Sequence, residues 1–230
     1  MKRRNLLLSL LLVGATAVVS VGYAALNRTL FLDTKLTADM NNENLAIEFH
    51  QTLMGYKIDQ GGSAVKVEMH PNVYEAQKIA FTVGGLSEQG DQVTVYSLIV
   101  NNSEEQDKLN ATLGAPSILV TRGLNNEVAT DQDATNNPSL FKGDHFTIEA
   151  SYVYDSSVAI EGGLSLEYDN MGQNIDGNPY LETKEEAKSE TSGHGVWAKV
   201  VFTLDEVVVE TTDYHIVQVS FSATSTNKLS

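Results

Sequence analysis

Residues 26–37 read Leu-Asn-Arg-Thr-Leu-Phe-Leu-Asp-Thr-Lys-Leu-Thr, a stretch in which apolar and polar positions largely alternate. In an extended chain, Leu26, Leu30, Leu32 and Leu36 fall on one side, and mainly polar residues fall on the other. Alternation of period two is typical of a strand that buries one of its faces. The sequence therefore predicts a β-strand here, with the leucines on the buried side.

The segment before this strand has the pattern of a secretory leader. It begins with Lys2-Arg3-Arg4 and continues with a largely apolar run over residues 6–21. The small residues Gly22 and Ala24 then occupy the −3 and −1 positions of a cleavage site, and a cut after Ala25 also fits. We expect residues 1–24 to be a signal peptide, so that the strand becomes the free N-terminus. The alternative is an uncleaved membrane anchor, because the run approaches the lower length limit of a spanning helix.

Composition restricts the partners of the exported chain. The leader contains three of the 15 basic residues and none of the 30 acidic ones, so the mature chain carries a net charge of −18. Such a surface repels nucleic acid and anionic membranes, and we expect neither as a partner after cleavage. The sequence has no cysteine, so an exported domain must be stabilised by its core or by a partner rather than by disulfides.

The remaining chain is predicted to be all-β. About ten short apolar stretches are separated by turns rich in Gly, Asn and Asp. Residues 92–100 are apolar on both faces, which indicates a central strand of a two-layer structure. Residues 169–179 are predicted to be a loop, and residues 181–190 are the one helix candidate. We predict a two-sheet β-sandwich over residues 39–230 with jelly-roll-like connections, preceded by the strand at 25–38 and the signal-peptide helix.

Three stretches resemble the TasA/camelysin family of exported biofilm-matrix fibre proteins, and they occur in the family's order. They are residues 21–26 at the leader's end, residues 79–102 and residues 217–224. The middle stretch consists of five parts in order: a strand, then Leu86, then a polar segment that ends in Gly90-Asp91, then a second strand, and finally an asparagine. Together the three cover about a third of the chain, and each is a pattern of strand and turn residues. The resemblance implies a jelly-roll subunit of extracellular fibres or pili, whose leader is cut by a dedicated signal peptidase.

The resemblance also implies a role for the first strand. In such fibres the N-terminal strand of one subunit can complete the sheet of the next, with backbone hydrogen bonds and alternate side chains setting the fit. Leu26, Leu30, Leu32 and Leu36 would be the inserted side chains. The partner would be another copy of the chain or a sister fibre subunit. The alternative is that residues 26–37 form an internal strand of their own domain.

The sequence does not support an enzyme, although the camelysin branch of the family carries a metallopeptidase label. The five histidines are His50, His70, His145, His194 and His215. No two of them form the His-Glu-x-x-His arrangement that holds zinc beside a general base. A Gly-x-Ser-x-Gly elbow is also missing. His194, between two glycines, is predicted to be solvent-exposed in a flexible loop.

Calcium is the one ion for which the sequence offers ligands. Asp131 and Asp133 lie in one Asx-rich segment, and Asp169 and Asp176 lie in another. Their oxygens are of the type that calcium prefers, but neither segment closes with the glutamate of the twelve-residue calcium loop. Asx-rich turns are the alternative interpretation, and no cofactor is otherwise predicted.

These observations predict a secreted structural subunit, located in the extracellular matrix or at the cell surface, that assembles into fibres. A monomeric secreted or surface-associated adhesin or binding module is the alternative. A secreted metallopeptidase is a third and weaker hypothesis.

Overall fold

The computed structural model describes residues 29–38, 45–61, 65–71, 76–103, 109–122, 127–128, 137–143, 145–183, 193–207 and 215–226. Within these ranges the chain is almost entirely β-structure, with one 3-10 turn at Glu161–Gly163. In the same part of the chain, no helix is long and apolar enough to cross a membrane. The predicted leader lies outside these ranges, together with Gly22, Ala24 and Ala25.

The described residues form sixteen strands. In chain order they are β1 (Thr29–Ala38), β2 (Ile47–Gln60), β3 (Lys66–Pro71), β4 (Lys78–Gly84), β5 (Gln92–Asn101), β6 (Asn110–Leu113), β7 (Ser117–Arg122), β8 (Glu127–Val128), β9 (Leu140–Gly143), β10 (Phe146–Val153), β11 (Ser157–Ile160), β12 (Leu164–Glu167), β13 (Gln173–Ile175), β14 (Asn178–Leu181), β15 (Gly195–Leu204) and β16 (His215–Thr226).

Two main sheets organise these strands. The smaller sheet has five strands in the order β2-β5-β15-β10-β9, and every neighbouring pair is antiparallel. The larger sheet has nine strands, with the order β13-β14-β6-β16-β1-β4-β3. β7 joins β16 on the same side as β6, and β8 pairs with β7. β1 and β16 run parallel, so the larger sheet is mixed.

The two sheets share one hydrophobic core. Phe49 of β2 and Phe221 of β16 meet edge to face with ring centroids 6.2 Å apart, and Tyr152 of β10 lies 5.7 Å from Phe221. Aromatic pairs of this kind contribute about 0.5–1.5 kcal/mol beyond the area that they bury. The core also includes Leu32 of β1 and Phe202 of β15. This arrangement confirms the predicted all-β fold and is consistent with a β-sandwich.

A second, smaller cluster covers the outer face of the smaller sheet. Leu98 and Val100 of β5 pack there with Trp197 of β15 and Val158 of β11. β11 and β12 form a separate two-stranded hairpin over this face. The indole Nε1 of Trp197 donates a hydrogen bond to the Asp155 carbonyl at 3.0 Å, which satisfies its polar atom. The prediction that β5 is central and buried on both faces is confirmed.

The predicted loop at residues 169–179 is wrong in part, because it contains the β13–β14 hairpin. Its turn is formed by Asp176 and Gly177, whose φ angles are +52° and +86°. Two successive positive φ values are what a two-residue hairpin turn requires, and Asp-Gly is one of its preferred sequences. The helix candidate at residues 181–190 is also wrong at its start, since Leu181 ends β14. Residues 184–190 lie outside the described part.

β2 is the longest strand among the described residues, with 14 residues from Ile47 to Gln60. Its pairing with β5 shifts register between Phe49 and Met54, as at a β-bulge. A bulge adds residues to one strand and interrupts the alternation of buried and exposed positions. The alternation of apolar and polar residues therefore does not reveal that β2 is one continuous strand.

Candidate functional site

The candidate site is the position of β1 in the larger sheet, between β16 and β4. β1 pairs with β16 over nine positions in parallel and with β4 over seven positions in antiparallel. Both of its edges therefore have neighbours within its own chain. We call the space between β16 and β4 the β1 slot.

Leu32 is the one predicted assembly leucine whose side-chain burial the structure describes. It is 1% exposed and belongs to the core shared by the two sheets. Its register partners are Val217 on β16 and Phe81 on β4, and both are buried. Leu32 thus occupies an inner position of the β1 slot, as the sequence predicted.

Thr34 follows on the same face and is also 1% exposed. Its register partners, Val219 on β16 and Ile79 on β4, are both apolar and buried. The hydroxyl Oγ1 of Thr34 donates a hydrogen bond to the Ile79 carbonyl at 2.7 Å. This bond satisfies the hydroxyl, which would otherwise be buried without a partner.

The opposite face of β1 points away from the core where it is described. Lys35 and Thr37 are exposed. At Leu32, Thr34, Lys35 and Thr37, the structure shows the alternation of buried and exposed side chains that the sequence predicts. It fixes which face of β1 is buried.

The other predicted assembly leucines are described less completely. Leu30 and Leu36 belong to β1, at backbone positions opposite Val83 of β4 and Phe221 of β16 respectively. Leu26 lies outside the described residues. The role of all four leucines, Leu32 included, as inserted side chains stays a prediction.

Asp91 stabilises the corner between the end of β4 and the start of β5. Asp91 is 3% exposed, and its Oδ2 accepts hydrogen bonds from the backbone N–H groups of Ser87 at 2.7 Å and Glu88 at 2.9 Å. Gly90 precedes it with a φ of +90°, which favours glycine. The Leu86 to Asp91 pattern therefore corresponds to a hydrogen-bonded turn that carries the chain from the larger sheet to the smaller one.

Asn101, at the end of β5, links the two sheets. It is 0% exposed, and its Nδ2 donates to the carbonyls of Leu109 at 2.9 Å and Leu181 at 3.3 Å. Its Oδ1 accepts from the backbone N–H of Ser103 at 3.1 Å. The sequence marked this asparagine only as the end of a strand, because its partners lie far away in the chain.

His194 is buried, so the prediction of a solvent-exposed histidine is wrong. It is 6% exposed, and its Nε2 lies 2.6 Å from the hydroxyl of Tyr168. The flanking glycines permit close approach of other groups. A Cβ at Gly193 would lie 2.1 Å from the backbone of Asn170, and one at Gly195 would lie 2.5 Å from the ring of Tyr168. The same burial raises the pKa of Tyr168 to about 12.

The candidate calcium ligands fall into two groups. Asp131 and Asp133 lie outside the described residues, whereas Asp169 and Asp176 are exposed. Asp176 belongs to the hairpin turn, where Asn174 Oδ1 accepts from the Gly177 N–H at 2.9 Å, as in an Asx turn. Across the described ranges, no three His, Asp or Glu side chains gather closely enough to hold a metal ion.

No protein-family model matches the chain, and no curated protein matches it significantly. The resemblance to the TasA/camelysin family therefore stays a sequence-based prediction.

Proposed function

We propose that this chain is a secreted structural subunit that assembles with copies of itself, or with a sister subunit, into extracellular fibres or pili by exchange of β1. The observation that carries the proposal is the place of β1, which comes before every other described strand yet lies in the interior of the larger sheet. The similarity to TasA/camelysin proteins and the jelly-roll-like topology that it implies support the same function.

Chain order makes β1 exchangeable. It is linked to the other described strands on one side only, through the sequence that leads to β2. A neighbour's β1 carries the same residues and can form the same nine pairs with β16 and the same seven with β4. Such exchange of an identical element adds no new contact type and requires no rethreading of the sandwich.

An empty β1 slot would be unstable, which favours its refilling. Without β1, facing edges of β16 and β4 would expose unpaired N–H and C=O groups, and such edges readily pair with another chain. The buried neighbours of Leu32, among them Val217 and Phe81, would also meet water. Donation from each subunit to the next is a head-to-tail arrangement, and it produces a filament when the rotation does not close.

Removal of the leader gives the proposed assembly its starting point. Cleavage after Ala24 leaves four residues, 25–28, before β1 begins at Thr29. The strand then lies almost at a free end, where it can leave one slot and enter another without carrying a large segment along. Signal peptidase is therefore a further partner in this proposal.

A monomeric adhesin or binding module is the second candidate. The observation that favours it is the seating of β1 in the sheet of its own chain, which closes the sandwich within one molecule. In both candidates β1 fills the β1 slot. They differ in whether the same chain or a neighbouring copy supplies that strand.

Electron microscopy of two purified proteins tests the proposal. One protein begins at Ala25, and the other lacks residues 25–38. We expect filaments from the longer protein alone. A Leu32→Asp variant of the longer protein is the matched control, because a carboxylate at this buried position should prevent insertion. If the longer protein stays monomeric and the truncated one unfolds, the monomeric module replaces the fibre subunit. If both form filaments, exchange of β1 is refuted.

A further inference from the structure

The apolar pattern of β1 specifies its face but specifies its position along the slot poorly. Alternate positions 30, 32, 34 and 36 carry three leucines and one threonine. A slip by one residue would move the exposed Lys35 to a buried position, so that slip is strongly disfavoured. A slip by two residues that brings Thr34 to the place of Leu32 would put Leu32, Leu36 and Ala38 at the other three inner positions, so hydrophobic burial alone opposes this slip weakly. The opposite slip would bring Arg28 to the place of Leu30, which burial opposes more strongly.

Thr34 is the residue that interrupts this repetition, and its surroundings suit it at one place only. Its hydroxyl is buried and donates to the Ile79 carbonyl at 2.7 Å. On the other side of β4, the register partner of Ile79 is Pro71. Proline has no N–H, so Pro71 cannot donate to that carbonyl. Pro71 is the only proline of β3, and the other β4 residues in this pairing face residues that retain an N–H.

We propose that Thr34 sets the register of β1 in its slot, through its hydrogen bond to the Ile79 carbonyl. A slip by two residues in one direction would place Thr34 opposite Phe81, whose β3 partner is Met69 with its own N–H. A slip in the other direction would place it beyond the β4 strand, at Gln77. In both cases the hydroxyl loses the Ile79 carbonyl, which is the one β4 acceptor in this pairing that faces a residue without an N–H, and loss of that buried hydrogen bond is unfavourable.

A single buried polar residue in an otherwise apolar contact is an established means of fixing register, as a buried asparagine does in coiled coils. For strand exchange the consequence is specificity. A strand from a second copy carries the same threonine and would be accepted in one register, which keeps successive subunits equivalent. This part rests on the proposed function, whereas the register within one chain does not.

Disulfide formation between introduced cysteines reports the register of β1 directly. The chain has no cysteine of its own that could form a competing disulfide. Thr37 is exposed and lies opposite the exposed Ser222 of β16. The double variant T37C/S222C therefore reports the native register. Two further double variants, T37C/S220C and T37C/T224C, report slips by two residues in either direction. Neighbouring strands are close enough for a disulfide only at matched positions.

Each double variant is combined with Thr34→Val, which removes the hydroxyl at nearly constant volume, and with Thr34→Ser, which keeps it. The full chain from Ala25 is equilibrated in a thiol–disulfide buffer, and the closed fraction within single chains is measured by mass spectrometry. We expect Thr34→Val to raise the slipped cross-links relative to the native one on the order of tenfold, as loss of one buried hydrogen bond predicts. Thr34→Ser should leave the ratio unchanged.

An unchanged ratio in a folded Thr34→Val protein would overturn the proposal. If that variant does not fold, Thr34→Ala removes the same hydroxyl and must show the same shift, and an unchanged ratio there overturns it equally. A shift with Thr34→Ser as large as with Thr34→Val would also contradict it. Failure of chains to exchange strands would refute the proposed function alone, because the register is read within single chains.

Discussion

The two main sheets differ in which parts of the chain build them. The smaller sheet contains neither the first nor the last described strand, its neighbouring strands are all antiparallel, and its outer face is covered by the β11–β12 hairpin. The larger sheet contains the first and the last described strands, β1 and β16, side by side and in parallel. The larger sheet thus includes the first described strand in its interior, and the smaller sheet does not.

Under the proposed exchange of β1, this difference separates a fixed scaffold from a replaceable strand. Removing any strand of the smaller sheet would interrupt the chain on both sides of it. Removing β1 interrupts the larger sheet but leaves the rest of the chain continuous. Because strands pair through backbone groups, an identical strand from another copy can restore the same sheet.

The largest effect is expected from Trp197→Ala in the smaller sheet. Trp197 is 0% exposed and fills the outer cluster between β5 and the β11–β12 hairpin. Loss of a buried aromatic side chain should lower the free energy of unfolding by about 3–5 kcal/mol, measured by urea denaturation with circular dichroism. Trp197→Phe, which keeps a ring, is the control and should cost less. If Trp197 belongs to a scaffold, its replacement in the T37C/S222C variant should leave the share of disulfides that join two chains, rather than close within one, unchanged among folded molecules.

A similar loss is expected from Leu32→Ala in the larger sheet, at about 2–5 kcal/mol. Leu32 is an inner residue of β1, so this variant should weaken both the single chain and any exchanged form. Leu32→Met conserves volume and should cost less than about 1.5 kcal/mol. The measurement is the same denaturation experiment, with filament yield as a second readout. An undiminished filament yield from Leu32→Ala would contradict the role of β1 in assembly.

Asp91→Ala tests the turn that joins the two sheets. Asp91 Oδ2 accepts two backbone hydrogen bonds, and bonds to a charged group contribute about 1.5–3 kcal/mol. The variant should lower the free energy of unfolding by an amount in this range, and Asp91→Asn, which keeps one acceptor oxygen, should lower it less. Equal stability of Asp91→Ala and the parent would show that the turn does not depend on this carboxylate.

The smallest effect is expected from the alkaline titration of Tyr168, beside the smaller sheet. Burial raises the pKa of its hydroxyl from the ordinary value of 10 to about 12. The folded chain therefore retains this proton at pH values where the unfolded chain has lost it. Its contribution to stability is full below pH 10 and declines as the pH rises from 10 to about 12. Denaturation midpoints across this interval should fall less steeply in Tyr168→Phe than in the parent, and parallel curves would refute the assignment.

Sequence reasoning predicted features that depend on neighbouring residues in the chain. The alternation around Leu32 identified the buried face of β1, and the apolar residues of β5 identified a strand buried on both faces. The polar composition of residues 169–179 favours a loop, although Asp176-Gly177 is a local hairpin signal.

Features that depend on distant parts of the chain could not be predicted. The acceptor of the Thr34 hydroxyl is 45 residues away, and its relation to Pro71 requires the pairing of three strands. The burial of His194 depends on Tyr168 and on close backbone contacts that the flanking glycines permit. In the sequence those glycines indicated flexibility instead.

The most direct test of β1 exchange is whether the T37C/S222C disulfide joins two chains or closes within one chain after assembly. Chains starting at Ala25 are concentrated until filaments form, oxidised, denatured and separated without reductant, with T37C/T224C as the control for mismatched positions. Exchange predicts a ladder of covalent oligomers from T37C/S222C, since each bond would join β1 of one chain to β16 of the next. A single band of internally cross-linked monomer would contradict it and would make β1 a strand of its own domain.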